Sequence, residues 1–129
     1  MRAIAQTEYG AFAVDLDTED VEPAGDVEAP GSERLHLALP RVVAAASRGS
    51  TIVAVVDRKP PLVVSHDAGI TWRETGGGLP AGFAVAVDES DPDRILYAAR
   101  NRLYLSEDGG TFWRRLEPEL ADIVDLALL

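Results

Sequence analysis

Short apolar runs separated by turn residues make up most of this chain. From residue 41 onward, runs of four to six residues rich in valine, isoleucine, leucine, tyrosine and phenylalanine alternate with clusters of glycine, proline, asparagine or aspartate. Runs of this length between turn residues predict antiparallel β-strands. Outside the last ten residues, no window of eleven shows helical apolar spacing free of glycine and proline. The pattern therefore predicts an all-β fold.

The strand pattern repeats at a regular interval. SHDAGITW, from Ser65 to Trp72, returns one period later as SEDGGTFW, from Ser106 to Trp113. Four strands per period predict the blades of a β-propeller, in units 41–80 and 81–120. A helical repeat, the alternative at this period, lacks helical apolar spacing. The predicted strands are Val42–Ala46, Thr51–Val56, Leu62–Ser65 and Thr71–Glu74, then Phe83–Val87, Ile95–Ala99, Leu103–Ser106 and Phe112–Leu116.

The two ends of the chain together supply a third blade. Residues 1–40 predict a degenerate blade: MRAIAQTE and GAFAVDLD resemble second and third strands, and Arg34–Pro40 takes the place of a fourth. Residues 121–129 then predict one more innermost strand, about Ile123 to Leu128. Three blades are too few to close a ring. We therefore expect a homodimeric ring of six blades, in which the final strand completes the first blade of the partner chain, with a trimer of nine blades as the alternative.

Composition narrows the class of protein. With 129 residues, 47% hydrophobic and 26% charged, the chain is expected to form one globular domain, with no membrane span. Its start lacks the features of a signal peptide, so a cytoplasmic location is expected. There is no cysteine, which excludes disulfides and thiolate metal sites. A net charge of −10 argues against nucleic acid as a partner.

The repeated octet resembles a known motif. SHDAGITW is similar to the Asp-box, or BNR repeat, of sialidase and glycosidase propellers, and the resemblance extends over residues 41–129 to photosystem assembly factors and sortilin-type receptors. In the second copy, Phe112 stands where threonine is usual and Thr111 lies one place early. The matching positions are Ser65, Asp67, Gly69, Thr71 and Trp72 in the first copy and Ser106, Asp108, Gly110 and Trp113 in the second.

Turn chemistry explains the spacing of the motif without catalysis. Between third and fourth strands, the aspartate is expected to accept backbone N–H groups, the glycine to adopt positive φ, and the tryptophan to pack between sheets. In the family that the chain resembles, the motif lies away from the active site. The first blade lacks it, and Thr18 to Glu33, acidic and rich in proline and glycine, predicts a loop there.

The sequence shows no evident catalytic groups. The enzymatic alternative that remains is an active site formed by residues of two chains. The sialidase resemblance implies an arginine triad, and no arginine lies in that family's leading context. Asp122 and Asp125 are the carboxylates nearest the predicted channel, but residues three apart on a strand face opposite ways. His36 and His66 offer no ligand pair. DESDPD, from Asp88 to Asp93, predicts turn caps rather than a calcium loop, so no metal or cofactor is expected.

Charged loops are divided between the two ends of the predicted blades. One end carries five cations together with Glu8, Glu117 and Glu119, while the opposite end carries the two octets and most other carboxylates. A noncatalytic binding or scaffold propeller is the favoured function, with an anionic small molecule or acidic protein as ligand. A glycan-binding or glycosidase-like protein is the alternative. The predicted ligand cations are Arg41, Arg58, Lys59, Arg100 and Arg102.

Overall fold

A computed structural model of the chain describes residues 2–24 and 42–128. These residues form twelve β-strands, and no helix among them is long and apolar enough to cross a membrane. The strands are β1 (Arg2–Thr7), β2 (Gly10–Asp15), β3 (Val21–Pro23), β4 (Val42–Arg48), β5 (Thr51–Val56), β6 (Leu62–Ser65), β7 (Arg73–Thr75), β8 (Ala84–Val87), β9 (Ile95–Ala99), β10 (Arg102–Ser106), β11 (Arg114–Arg115) and β12 (Ile123–Leu128).

The twelve strands form three four-stranded antiparallel sheets, which confirms the all-β prediction. The first sheet has the order β12-β1-β2-β3, the second β4-β5-β6-β7 and the third β8-β9-β10-β11. Each of the two repeat units thus forms one sheet by successive hairpins. The fourth strands, β7 and β11, are shorter than the apolar pattern predicts, because residues ahead of them are used in tight turns.

The third sheet lies between the other two. Alternate residues of a strand face opposite sides of its sheet. Val85 and Val87 of β8 therefore pack with Val53 and Val55 of the second sheet. From the other side of β8, Ala84 and Ala86 pack with apolar residues of the first sheet, namely Ala3, Ala5, Val14 and Leu126. Burial of both faces explains why β8 contains only apolar residues, as expected of a blade between two neighbours.

The innermost strands are β4, β8 and β12, which lie side by side at one edge of their sheets. β8 contacts both β4 and β12. All three contain alanine, whose small side chain allows neighbouring sheets to approach closely.

The final strand completes the first sheet within the single chain described. β12 pairs antiparallel with β1 of its own chain, with Ala3 opposite Leu128 and Ala5 opposite Leu126. Pairing with a partner chain stays a prediction, because one chain alone is described. Apolar alternation specifies the faces of a strand but not the chain that it pairs with, so the sequence did not distinguish these cases.

The fourth strand of the first sheet comes from an earlier segment than predicted. β3, Val21–Pro23, pairs with β2 in the fourth position, where Arg34–Pro40 was expected. The hairpin forms within the acidic segment because Asp15 accepts the N–H groups of Asp17 and Thr18, at 2.9 and 3.1 Å. The segment from Thr18 to Glu33 therefore contains a strand near its start and is not a loop throughout. Residues 25–41, with Arg34–Pro40, His36 and Arg41, lie outside the described residues.

Candidate functional site

The first repeated octet folds into a turn between β6 and β7. The Ser65 hydroxyl donates to Asp67 Oδ1 at 2.7 Å and accepts the Gly69 N–H at 2.8 Å. Asp67 also accepts the backbone N–H of Thr71 at 2.8 Å and its hydroxyl at 2.5 Å. Gly69 has φ of 91°, and its carbonyl accepts the indole N–H of Trp72 at 3.1 Å. The polar side chains at the matching positions are therefore all engaged within the turn.

The second octet repeats this geometry between β10 and β11. Ser106 donates to Asp108 at 2.8 Å and accepts the Gly110 N–H at 2.9 Å. Asp108 accepts the N–H of Phe112 at 3.0 Å, and Trp113 donates to the Gly110 carbonyl at 3.1 Å. Phenylalanine at residue 112 has no hydroxyl, so the side-chain bond made by threonine in the first turn is missing here.

The second turn also joins two sheets. The indole N–H of Trp113 reaches the Thr75 hydroxyl of β7 at 3.1 Å, and that hydroxyl donates to the Gly110 carbonyl. Arg73 donates to the Gly109 carbonyl at 3.1 Å. These contacts fasten the third sheet to the second at the end that carries both turns, so the motif stabilises the packing of neighbouring sheets.

Hydrogen bonding lowers the pKa of both aspartates. The Thr71 hydroxyl, then the Thr71 N–H and the Ser65 hydroxyl, lower the pKa of Asp67 to about 2. The Phe112 N–H, followed by the Ser106 hydroxyl, lowers the pKa of Asp108. A carboxylate held ionised by such donors is a poor proton donor near neutral pH, so these residues suit a structural role better than acid catalysis.

The opposite end of the sheets is here called the loop face. It carries the β1–β2, β5–β6 and β9–β10 hairpins and the β7–β8 and β11–β12 connections. A cleft of about 580 Å³ opens there between the β5–β6 hairpin and the β7–β8 connection. Lys59 is the one charged residue among the described residues that line it, and the lining is Lys59, Pro60, Pro61, Gly77, Gly78, Leu79, Pro80 and Ala81.

A buried tyrosine holds one wall of this cleft. The Tyr97 hydroxyl donates to the Pro80 carbonyl at 2.7 Å, and the ring is fully buried between the second and third sheets. Burial, with a smaller contribution from Tyr104, raises the pKa of Tyr97 to about 12. The phenol therefore stays protonated near neutral pH and remains a hydrogen-bond donor. The sequence does not indicate this role, because Tyr97 lies in an ordinary apolar strand pattern.

The predicted ligand cations differ in their surroundings. Arg102 contacts the Glu119 carboxylate and donates to the Glu117 carbonyl at 2.9 Å, so it fastens the β11–β12 connection. Arg58 lies 3.7 Å from Glu74. Lys59 and Arg100 are exposed and have no ion-pair partner among the described residues.

Three exposed apolar side chains stand at equivalent places on the innermost strands. Val42 pairs with Val56 and Ala44 with Val55, so Val43 is an extra residue that bulges outward. A matching irregularity in the β12–β1 pairing leaves Val124 unpaired, and Phe83 directly precedes β8 at the corresponding place. The side chains of Val43, Val124 and Phe83 are 44%, 59% and 58% exposed, respectively. The apolar pattern places Phe83 within a strand and gives no sign of this row.

The remaining candidate groups are dispersed. Asp122 is exposed ahead of β12, whereas Asp125 accepts the N–H of Leu126 at 2.9 Å within the strand. In DESDPD, Asp88 accepts the Ser90 N–H and Asp91 the Asp93 N–H, each at 3.1 Å. These are turn caps.

Among the described residues, His66 and the acidic side chains form no further candidate site. The exposed His66 lies 3.3 Å from the Thr51 hydroxyl. Across residues 2–24 and 42–128, no three histidine, aspartate or glutamate side chains are grouped to hold a metal ion.

Comparison with known proteins finds a structural similarity with a low TM-score. No protein-family model and no curated protein matches the chain. Among solved structures, it is similar to the crystal structure of the Niastella koreensis GH74 enzyme, with a TM-score of 0.48 and 20% sequence identity. The match covers 88% of this chain and 17% of that chain, so this chain spans less than a fifth of the enzyme's length. The similarity assigns this chain no activity or substrate.

Proposed function

We propose that the protein is a noncatalytic binding or scaffold module that holds an anionic ligand, most simply an acidic peptide segment, at the loop face. The observation that carries the proposal is the cleft beside Lys59. A cleft of about 580 Å³ is large enough for a side chain or a small organic acid. Its mainly apolar wall with a single cation suits a carboxylate attached to an apolar body.

Arg100, whose backbone lies beside β12, supports the same ligand class. It lies at the turn of the β9–β10 hairpin with φ of 57°, and its carbonyl accepts the Ile123 N–H at 2.7 Å. The backbone is thus held while the guanidinium stays exposed. An arginine positioned in this way offers two parallel donors to a carboxylate.

The loop face is not uniformly basic, and this limits the ligand. Asp57 and Asp122 are exposed near the two ends of the row of innermost strands, and the whole chain carries a net charge of −10. General attraction of anions is therefore weak. Binding has to come from local contacts with Lys59 and Arg100, and we expect it to weaken as salt screens them.

The test is binding of a fluorescent hexapeptide of alternating serine and aspartate, followed by anisotropy at low and high salt. The double variant Lys59→Ala with Arg100→Ala should weaken binding about tenfold or more. Arg115→Ala is the matched control, because Arg115 is an exposed cation on the outermost strand β11. Equal affinity of wild type and double variant would contradict the proposal, as would recognition of a neutral glycan on an array with no affinity for the peptide.

We also infer that the two repeated turns make this chain an Asp-box propeller, and that two chains assemble into one six-bladed ring. Equivalent hydrogen bonds in both turns, one repeat apart, support the first inference. Three sheets in a row support the second, since two such rows supply six blades. A three-chain ring of nine blades is the competing assembly. Pairing of β12 with its own β1 favours assembly without strand exchange.

A further inference from the structure

We infer that Phe83 is the apolar anchor of the loop face, and that the ligand is therefore an acidic segment with an apolar side chain next to its carboxylate rather than a free anion. This inference rests on the proposed function and specifies its ligand. It starts from the row of exposed residues formed by Val43, Phe83 and Val124, which is here called the bulge row.

The backbone conformation exposes the side chains of the bulge row. In β4 and β12 an irregularity of the strand pairing turns one side chain, Val43 or Val124, out of the sheet. β8 lies between β4 and β12, so Phe83 occupies the middle of the row. Its N–H donates to the Ala98 carbonyl at 3.2 Å, which holds the backbone beneath the exposed ring.

The backbone of Phe83 is connected to the surroundings of both Lys59 and Arg100. Ala81, two residues before Phe83, lines the cleft that also contains Lys59. Arg100 lies two residues beyond Ala98, whose carbonyl accepts the Phe83 N–H. An apolar residue next to a carboxylate bound at either cation is therefore expected to reach the Phe83 ring.

The charges along the bulge row favour one kind of ligand. Asp57 and Asp122 lie by the Val43 and Val124 ends of the bulge row, so a carboxylate is favoured only near the middle. An apolar residue beside that carboxylate would cover the Phe83 ring as the salt contacts form. A second copy of this chain is a poorer occupant, because its loop face would place the same exposed carboxylates, Asp57 and Asp122, against their counterparts.

The experiment compares two labelled hexapeptides of equal charge, one alternating leucine and aspartate and the other serine and aspartate. Wild type should bind the leucine peptide about tenfold more tightly, as expected when one apolar side chain is buried. Phe83→Ser should remove that preference and leave affinity for the serine peptide unchanged. Phe112→Ser is the matched control, because Phe112 is 76% exposed in the second octet turn at the opposite end of the sheets.

The outcomes separate this inference from the proposed function. Equal affinity of wild type for both peptides, with sensitivity to Lys59→Ala, would overturn the anchor and leave the anion site standing. Unchanged binding of both peptides by the Lys59 and Arg100 double variant would overturn both. If Phe83→Ser instead halves the mass of the protein in solution, the bulge row is an interface between copies, and the inference is wrong.

Discussion

The hydroxyl of Tyr97 donates to the carbonyl of Pro80 at 2.7 Å, and this bond connects the buried core to the wall of the proposed binding cleft. Tyr97 packs between the second and third sheets, edge-on to Trp113 with ring centroids 6.3 Å apart. The cleft is therefore held by the same packing that joins the sheets. Changes at this contact should affect stability and ligand binding together.

Gly82 provides the first prediction. A Cβ built on Gly82 lies 2.6 Å from Tyr97 Cζ and also meets the Ala98 carbonyl oxygen, so alanine does not fit. Gly82→Ala should lower the free energy of unfolding by about 1 to 3 kcal/mol, the usual range for overpacking. Urea denaturation measures it. Gly77→Ala, where a Cβ meets nothing within 4 Å, is the control and should leave stability unchanged or slightly raised.

Ala68 provides a stabilising prediction. It has φ of 59°, in the left-handed region that alanine adopts at a cost, and the second repeat has Gly109 at the same place with φ of 72°. Ala68→Gly should raise the free energy of unfolding by about 0.5 to 1 kcal/mol, since strain relief exceeds the entropy of the added glycine. Thermal unfolding is the measurement. A fall in stability equal to that of Ala81→Gly would show that residue 68 carries no strain.

The pKa of Asp67 predicts a difference at acid pH. Because the folded pKa is about 2 and the ordinary value is 3.8, the carboxylate contributes stability above pH 3.8 that is lost as pH falls towards 2. The stability advantage of wild type over Asp67→Asn should therefore shrink between pH 4 and pH 2. Thr71→Val removes the leading donor, so NMR titration should find its Asp67 pKa raised towards 3.8. An advantage independent of pH would contradict the hydrogen-bonded geometry.

Pairing of the final strand is tested by a disulfide, since the chain has no cysteine of its own. Gln6 and Asp125 are cross-strand partners, so Gln6→Cys with Asp125→Cys should oxidise within one chain and run at 13.8 kDa on a denaturing gel. Light scattering of the same sample should give twice that mass if two chains close the ring. A covalent dimer would indicate strand exchange, and a solution mass of one or three chains would exclude the six-bladed ring.

Much of the fold could be predicted from the sequence, because the repeat places turns and apolar runs at fixed intervals. The strands β5, β6 and β9 have the predicted bounds, since each is a short apolar run closed by turn residues. The position of β3 could not be predicted, because Val21–Pro23 lies in an acidic segment. It forms a strand next to a turn that Asp15 stabilises through its hydrogen bonds. Local composition does not report such a capped hairpin.

The candidate site was harder to predict from the sequence, because the surroundings of its residues are set by contacts with residues distant in the chain. Arg102 reads as a surface cation, yet it binds the Glu117 carbonyl and the Glu119 carboxylate across the β11–β12 connection. Phe83 reads as an interior strand residue, and its position directly ahead of β8 exposes it. Lys59 was named from the sequence, but its cleft requires the β7–β8 connection to lie beside it.

The most direct test of the central claim is a heteronuclear NMR titration of the ¹⁵N-labelled protein with the leucine and aspartate hexapeptide. The account predicts chemical-shift changes at the loop face, in the amides of Lys59, residues 77–79 and 81–83, and Arg100, with the two octet turns unaffected. Changes centred on Ser65 to Trp72 or Ser106 to Trp113, or no change at millimolar peptide, would contradict it.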